Sequence, residues 1–306
     1  MNKIKIVFFG THEFASTILQ GLLDNPNFEI ALVITQPDKP VGRKQELQPP
    51  AVKILAQKHS LTVEQPISLK LEVVSQKSYN LQLTTYDLAI VCQYGLIIPQ
   101  KLLEQPKFGF INVHTSLLPK YRGASPIQSA LVNGETETGV TIMKMDAGMD
   151  TGPILTQKAC IIDKTETYTT LSNKLAKIAN LELPKAILGY ISSKIAPEPQ
   201  DNSLATYTKI LTRDDGKIDW SKSVKEIYNQ YRGHTPWPGV WTTWNNKRVK
   251  LLQITPSEIK ISNSEFKVND GKLLVGCNNG SIEVLELQVE GSKPTDAKSF
   301  INGYLK

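Results

Sequence analysis

The polar residues best suited to chemistry cluster in residues 111–128, INVHTSLLPKYRGASPIQ. Asn112 and His114 stand two positions apart at the end of a hydrophobic run, Phe110 to Val113. On an extended backbone that spacing turns both side chains to one face. A neutral amide donor and a titratable imidazole then look into the same pocket. The pair suits negative charge growing on a carbonyl oxygen, because the amide donates one hydrogen bond and an imidazolium another. On residue type alone, such a pair more often satisfies strand-end backbone groups.

Neighbouring segments favour chemistry. Leu117-Leu118-Pro119 sets an irregular apolar surface directly after His114, and Gly123 and Pro126 break the chain before a helix starting near Ser125. The stretch Met145-Asp146-Ala147-Gly148-Met149-Asp150-Thr151-Gly152 is a glycine-flanked loop with two carboxylates. A carboxylate beside His114 would orient the ring and favour its charged form. Spacing does not say which of the two serves. Neither Ser116 nor Ser125 lies in a Gly-x-Ser-x-Gly elbow, so neither is expected to be a nucleophile. The histidines His12, His59, His114 and His234 show no metal-binding spacing, and Cys92, Cys160 and Cys277 form neither a zinc motif nor a disulfide framework. No metal site is expected.

Several elements must position these groups. Ile4 to Phe9 is a continuous apolar run closed by Gly10, which predicts a strand buried on both faces. Phe14, Ile18, Leu19, Leu22 and Leu23 recur at helical spacing until Asn25-Pro26. Further strands are predicted at 30–34, 88–91 and 110–113, and a helix near Pro50. The β-α-β order implies a doubly wound, mainly parallel sheet, with ligands beyond the carboxyl ends of its strands. Gly10, Thr35, Cys92 and His114 all fall at that edge. The turn after Phe9 carries one glycine of the dinucleotide fingerprint, and no phosphate-binding Gly-x4-Gly-Lys-Ser/Thr loop occurs. A long helix is predicted over 168–188, kinked or restarted by Pro184. Residues 196–207 read as an extended polar linker. Beyond them, short alternating runs between turn signals such as Asn269-Asp270-Gly271 suggest a small OB-like β-barrel. The expected domains are an α/β unit over 1–195 and a β-barrel over 208–306.

Bulk properties agree. At 306 residues the chain is long for one core, and 40% hydrophobic with 21% charged residues excludes disordered and fibrous classes. No run approaches a bilayer span, and Met1-Asn2-Lys3-Ile4-Lys5 enters the first strand with no signal-peptide pattern, so a cytoplasmic location is expected; the protein is also expected to be a monomer. The net charge of +6 is evenly spread. Twenty basic residues face seventeen acidic ones up to Gln200, and fifteen face twelve beyond it. That diffuse field suits an anionic partner, though a slightly basic enzyme would show it equally.

Asn112-Val113-His114, then Ser116-Leu117-Leu118-Pro119, with Asp150-Thr151-Gly152 after Gly139-Val140-Thr141, resembles the folate-dependent formyltransferases. The resemblance implies a catalytic Asn112, His114 and Asp150, with Asp146 as a bystander. It also implies 10-formyltetrahydrofolate as co-substrate, held by Tyr94, Gly95, Leu96, Ser116, Leu117, Leu118 and Pro119. Other segments look like those members of the family that act on methionyl initiator tRNA. These are residues 36–43 followed by Pro50-Ala51-Val52-Lys53, Gly10-Thr11 with Phe14-Ala15, residues 118–128, Asp219-Trp220-Ser221, and Pro236-Trp237-Pro238-Gly239. The tRNA contacts so implied are Arg43, Lys209, Arg213, Lys247 and Arg248, with Lys250 beside them. The chain departs from the family at Arg43-Lys44-Gln45-Glu46, where further lysines are usual, and at His12, where proline is usual. Glu46 weakens phosphate attraction locally, and His12 reads as solvent-facing or locally bonded. A formyltetrahydrofolate hydrolase or a sugar-amine formyltransferase would use the same trio without needing both the 36–53 insert and the C-terminal β domain. A purely RNA-binding protein would leave the trio unexplained.

Overall fold

The computed structural model describes residues 3–42, 44–69 and 82–305. Arg43, expected to meet RNA, lies outside the described residues. The chain packs as two compact units. The first comprises Met1–Ala124, Thr138–Cys160 and Ser172–Thr208; the second comprises Ser125–Glu137, Ile161–Leu171 and Lys209–Lys306.

In chain order, the elements up to residue 208 are β1 (Ile4–Gly10), α1 (Glu13–Leu23), β2 (Phe28–Ile34), β3 (Lys39–Val41), β4 (Glu46–Gln48), α2 (Ala51–Lys58), β5 (Val63–Glu64) and β6 (Leu88–Cys92). There follow α3 (Gln100–Leu103), β7 (Phe110–His114), β8 (Arg122–Gly123), α4 (Pro126–Val132), β9 (Glu137–Lys144), β10 (Ile154–Ile161), α5 (Tyr168–Ile191) and β11 (Tyr207–Thr208). One sheet runs β10-β9-β7-β6-β1-β2-β5. Strands β5, β2, β1, β6 and β7 are mutually parallel, and β9 is antiparallel to β7. The mainly parallel expectation is met.

Strand β1 starts mid-sheet. The chain builds outward through β2 and β5, then returns to the other side for β6 and β7. This reversal opens a crevice at the carboxyl ends of β1 and β6, where Gly10 pairs with Cys92. Gly10 is there for want of space. A Cβ would lie 2.6 Å from a Phe8 ring atom and 2.8 Å from Ala15 Cβ. Beneath this edge Phe9 is fully buried, its ring 5.3 Å from both Tyr94 and Phe110.

Helix α5 is a single element of 24 residues that continues through Pro184. It does not restart there. Buried Leu171, Leu175, Ala179, Leu183 and Ile187 recur every four residues on either side of the proline. That apolar stripe holds the helix together where one backbone donor is missing.

The second unit adds α6 (Val224–His234), β12 (Val240–Trp244), β13 (Lys247–Ser257), β14 (Phe266–Asn269), β15 (Lys272–Cys277), β16 (Gly280–Val289), β17 (Thr295–Asp296) and α7 (Ala297–Tyr304). Its sheet is antiparallel along β12-β13-β16-β15-β14, with β17 on β16. Val249, Leu251, Leu273, Ile282, Val284 and Phe300 form its core with Ile227 of α6. Helix α6 opens on a capping box, Ser223 with Glu226, which satisfies its first backbone donors. Within this unit α4 packs closely on α6: a Cβ on Gly233 would lie 2.8 Å from Val132 Cγ2. The buried Arg232 guanidinium donates to the carbonyls of Asp163 and Glu166 and so pins the 161–171 segment.

Candidate active site

Strand β7 carries the two residues singled out first. Asn112 pairs with Val91 of β6 and Met143 of β9, and His114 pairs with Thr141 of β9. With a partner strand on each side, β7 cannot rotate its side chains, and both residues reach one carboxylate oxygen. Asn112 Nδ2 lies 3.3 Å from Asp150 Oδ1, and His114 Nδ1 lies 3.6 Å from the same atom. The second distance is too long for a hydrogen bond. Asp150 Oδ2 accepts the backbone N–H of Gly123 at 2.8 Å. The structure therefore brings Asn112, His114 and Asp150 together.

On the other side of the ring, His114 Nε2 is 3.0 Å from the Tyr121 carbonyl. A carbonyl only accepts, so Nε2 bears the hydrogen and Nδ1 is the nitrogen turned to the carboxylate. The imidazole is nearly enclosed, at 7% side-chain exposure, while Asp150 keeps 16%. Tyr121 (φ 60°) and Asp150 (φ 54°), the two residues flanking the ring, both adopt left-handed backbone. For non-glycine residues that conformation costs on the order of 1–3 kcal/mol each, and it persists only where surrounding contacts fix it.

Asp146, the other loop carboxylate, has a different task. Its Oδ1 accepts from Gly148 N and Thr151 Oγ1 and so builds the turn. The carboxylate beside His114 is Asp150, which answers the choice that spacing left open.

The expected folate contacts divide by exposure. Ser116 is fully buried; its hydroxyl donates to the Lys120 carbonyl at 2.6 Å. Leu118 is also buried, held through its N–H by Thr141 Oγ1 and through its carbonyl by Gln157. Leu117 and Pro119 keep partial exposure. Tyr94 is 1% exposed, edge-on to Phe9, and burial raises its phenol above the ordinary range. Its ring belongs to the core. What this turn offers a ligand is its backbone, the exposed Gly95 and the partly exposed Leu96. The Tyr94 carbonyl already accepts from Thr11 Oγ1 and Gln36 Nε2. At Gly95 (φ 83°) a Cβ would meet that Gln36 amide at 2.4 Å, so only glycine fits.

Two residues went unnoticed in the sequence. Arg122, 1% exposed, sends its guanidinium to Gln200 and Asn202. Gln200 in turn donates to the carbonyls of Asp150 and Gly152. The 196–207 stretch, expected to be an extended linker, instead turns through a short 3-10 helix at Asn202–Leu204 and packs as part of the first unit. It is also fastened down, since Glu198 and Ile154 exchange backbone hydrogen bonds at 2.7 and 2.8 Å. The available signal was an arginine between Tyr121 and a glycine, in a motif read only as a whole.

In the second unit, the expected RNA contacts differ in how free they are. Lys209 pairs with Asp215 through its ammonium, and that bond holds the Asp215 carboxyl down at about 2. The Arg248 guanidinium lies 3.8 Å from the Trp241 ring centroid, with Lys217 at 5.8 Å from the same ring. Lys247, Lys250 and Arg213 are exposed, and the Arg213 carbonyl accepts from Trp241 Nε1. Trp244 packs on Phe266, Phe300 and Tyr304 as core, whereas Trp237 is half exposed.

Among the described residues no cluster of three or more His, Cys, Asp or Glu side chains could hold a metal ion, and no helix is long and apolar enough to cross a membrane.

Comparison with known proteins places these features in context. The formyl transferase family model matches residues 3–187, and the model of the formyl transferase C-terminal domain matches residues 210–305. A methionyl-tRNA formyltransferase of Caldicellulosiruptor saccharolyticus is 43% identical over 98% of this chain and 96% of its own. One from Geobacter sulfurreducens is 40% identical over 99% and 95%. Among solved structures, a sugar 3N-formyl transferase with dTDP and 5-N-formyl-THF superposes with a TM-score of 0.66 at 23% identity, covering 96% of this chain and all of that one. The methionyl-tRNA formyltransferase from Clostridium thermocellum gives 0.57 at 16% identity, covering 94% and 98%. At those identities the two structures speak to fold alone.

Proposed function

The chain belongs to the methionyl-tRNA formyltransferase family, and from that premise we propose that it moves the formyl group of 10-formyltetrahydrofolate to the α-amine of methionine on initiator tRNA. The observation that carries the chemistry is the meeting of Asn112 Nδ2 and His114 Nδ1 at one oxygen of Asp150.

The co-substrate supplies an activated one-carbon unit bearing a carbonyl. The residues present suit it: a neutral amide donor, a ring nitrogen able to exchange a proton, and a carboxylate, all beyond the carboxyl end of a sheet strand. Asn112 donates to the formyl oxygen as negative charge grows on it during attack by the neutral amine. His114 Nδ1 takes the proton that the amine must shed, and Asp150 steadies the charge this leaves on the ring. The new bond joins the methionine nitrogen to the formyl carbon; the bond to the folate nitrogen breaks, and that nitrogen receives the proton. The amine is itself the nucleophile, so no enzyme-bound acyl group is required. Leu117, Pro119, Leu96 and the backbone at Gly95 flank the folate.

Lys209, Arg213, Lys247 and Arg248 meet tRNA phosphates, and Arg43 takes part. Their contribution falls as salt rises and carries little base information. The enzyme works as a monomer in the cytosol, where its tRNA is made.

Incubation with 10-formyltetrahydrofolate and methionine charged on either initiator or elongator tRNA tests this reading. The initiator species is expected to be formylated faster. Equal rates on both, or formylation of an amino sugar nucleotide with no response to charged tRNA, would overturn it.

A further inference from the structure

Asp150 must hold an uncommon backbone conformation and aim its carboxylate at two groups, and its immediate neighbours in sequence, Met149 and Thr151, make no hydrogen bond to that side chain among the described contacts. The support comes from Arg122, Gly123 and Gln200. Arg122 is buried and always charged, so its donors need acceptors. Gln200 Oε1 accepts from Nη2 at 2.7 Å and from Nε at 3.2 Å, and Asn202 Oδ1 accepts from Nη2 at 2.7 Å. The Tyr207 hydroxyl lies 3.5 Å from Nη1.

The chemistry then fixes which way the Gln200 amide faces. A guanidinium only donates, so the amide oxygen must face Arg122, and the amide nitrogen must face the opposite way. Facing that way are two groups that only accept, the carbonyls of Asp150 at 2.9 Å and Gly152 at 2.7 Å. Both amide hydrogens are used, and the glutamine cannot flip. The residue after Arg122 completes the clamp, because the Gly123 N–H holds Asp150 Oδ2. Backbone and carboxylate of Asp150 are thus gripped from one buried arginine and its neighbour.

We infer that Gln200 is a positioning residue for formyl transfer: through its two donated bonds it locks the 150–152 backbone and so sets the Asp150 carboxylate against His114 and Asn112. The inference rests on the reading of Asp150 as a working group of the site.

Gln200→Glu separates this role from the mere burial of Arg122. The glutamate gives the guanidinium a better acceptor yet offers neither carbonyl a donor. Gln200→Met removes both functions. The measurements are kcat, KM for 10-formyltetrahydrofolate and for initiator Met-tRNA, and the thermal midpoint, each repeated in an Asp150→Asn background. Both variants are expected to lose about 10- to 100-fold in kcat, since small misplacement of a reacting group costs up to that much. KM for the folate should stay within about threefold in each, because the groups beside it are untouched. Gln200→Met should lower the thermal midpoint more than Gln200→Glu, which keeps an acceptor for the guanidinium. In the Asp150→Asn background the further loss from Gln200→Glu should shrink to below about threefold, as coupled residues are not additive. A full rate in Gln200→Glu beside an impaired Asp150→Asn overturns the positioning role alone. So does an undiminished loss in the Asp150→Asn background, or a loss confined to the destabilised Gln200→Met. A full rate in Asp150→Asn itself overturns the reading of Asp150.

Discussion

Replacing Asn112 by alanine is expected to lower kcat by roughly 10²–10³-fold, about 3–4 kcal/mol of transition-state stabilisation, the usual cost of one lost oxyanion donor. The substitution removes little else. Asn112 is partly exposed, its backbone stays in the ladders with Val91 and Met143, and among the described residues its amide makes a single long bond of 3.3 Å, to Asp150. A donor held so loosely at rest is free to turn to a substrate oxygen. Stability should therefore hold while turnover falls, and KM for either substrate should move far less than kcat, because the lost interaction strengthens only as charge develops. Steady-state kinetics beside a thermal melt would separate the two effects. Equal losses in kcat and folding stability would mean that the amide serves the strand end, as most such residues do.

Phe9→Ala should act in the reverse sense, with a loss of roughly 3–5 kcal/mol in folding stability, the range for emptying an aromatic side chain from a core. Phe9 is fully buried in β1, one residue before the switch-point glycine, and its ring touches Tyr94 edge-on and Phe110 at a tilt. It thus joins β1, the 93–96 turn and the start of β7 in one cluster with Leu102, Leu103 and Val91. Since domains rest on a margin of only about 5–15 kcal/mol, the variant should unfold at markedly lower denaturant concentration. Folded Phe9→Ala should still carry out the chemistry, because its ring partners are Tyr94 and Phe110 rather than Asn112, His114 or Asp150. An unchanged midpoint would show that the cluster collapses to fill the space.

Much of this was legible in the residues because local signals agreed with the final structure. The apolar runs at β1, β6 and β7 have no other use than a doubly covered sheet, and the spacing of Asn112 and His114 carries its own geometry. The edge glycine at position 10 was readable as a strand end, though the close approach of Phe8 and Ala15 that demands it was not. Other features depend on distant partners. Tyr94 follows a strand at the ligand edge, and nothing local says that its ring turns inward beside Phe9. Of the kink or restart expected at Pro184, the restart does not occur, because an apolar stripe outweighs one missing donor. Helix α6 was passed over even though Ser223 and Glu226 announce its start, since its apolar residues are scattered among polar ones. The packing of 125–137 and 161–171 with helix α6 was beyond reach, because it rests on long-range contacts such as Arg232 to the Asp163 and Glu166 carbonyls. The pairing of Arg122 with Gln200, 78 positions apart, is hidden for the same reason.

The most direct test of formyl transfer at the β7 edge is a single-turnover measurement on His114→Ala with enzyme in excess and both 10-formyltetrahydrofolate and initiator Met-tRNA bound. Under these conditions binding and product release drop out of the rate. The formylation step should slow by about 10²–10⁴-fold, the span for losing a positioned proton acceptor, while the complex with charged tRNA still forms at the wild-type concentration. A step within a fewfold of wild type would contradict a working role for the imidazole at this strand end.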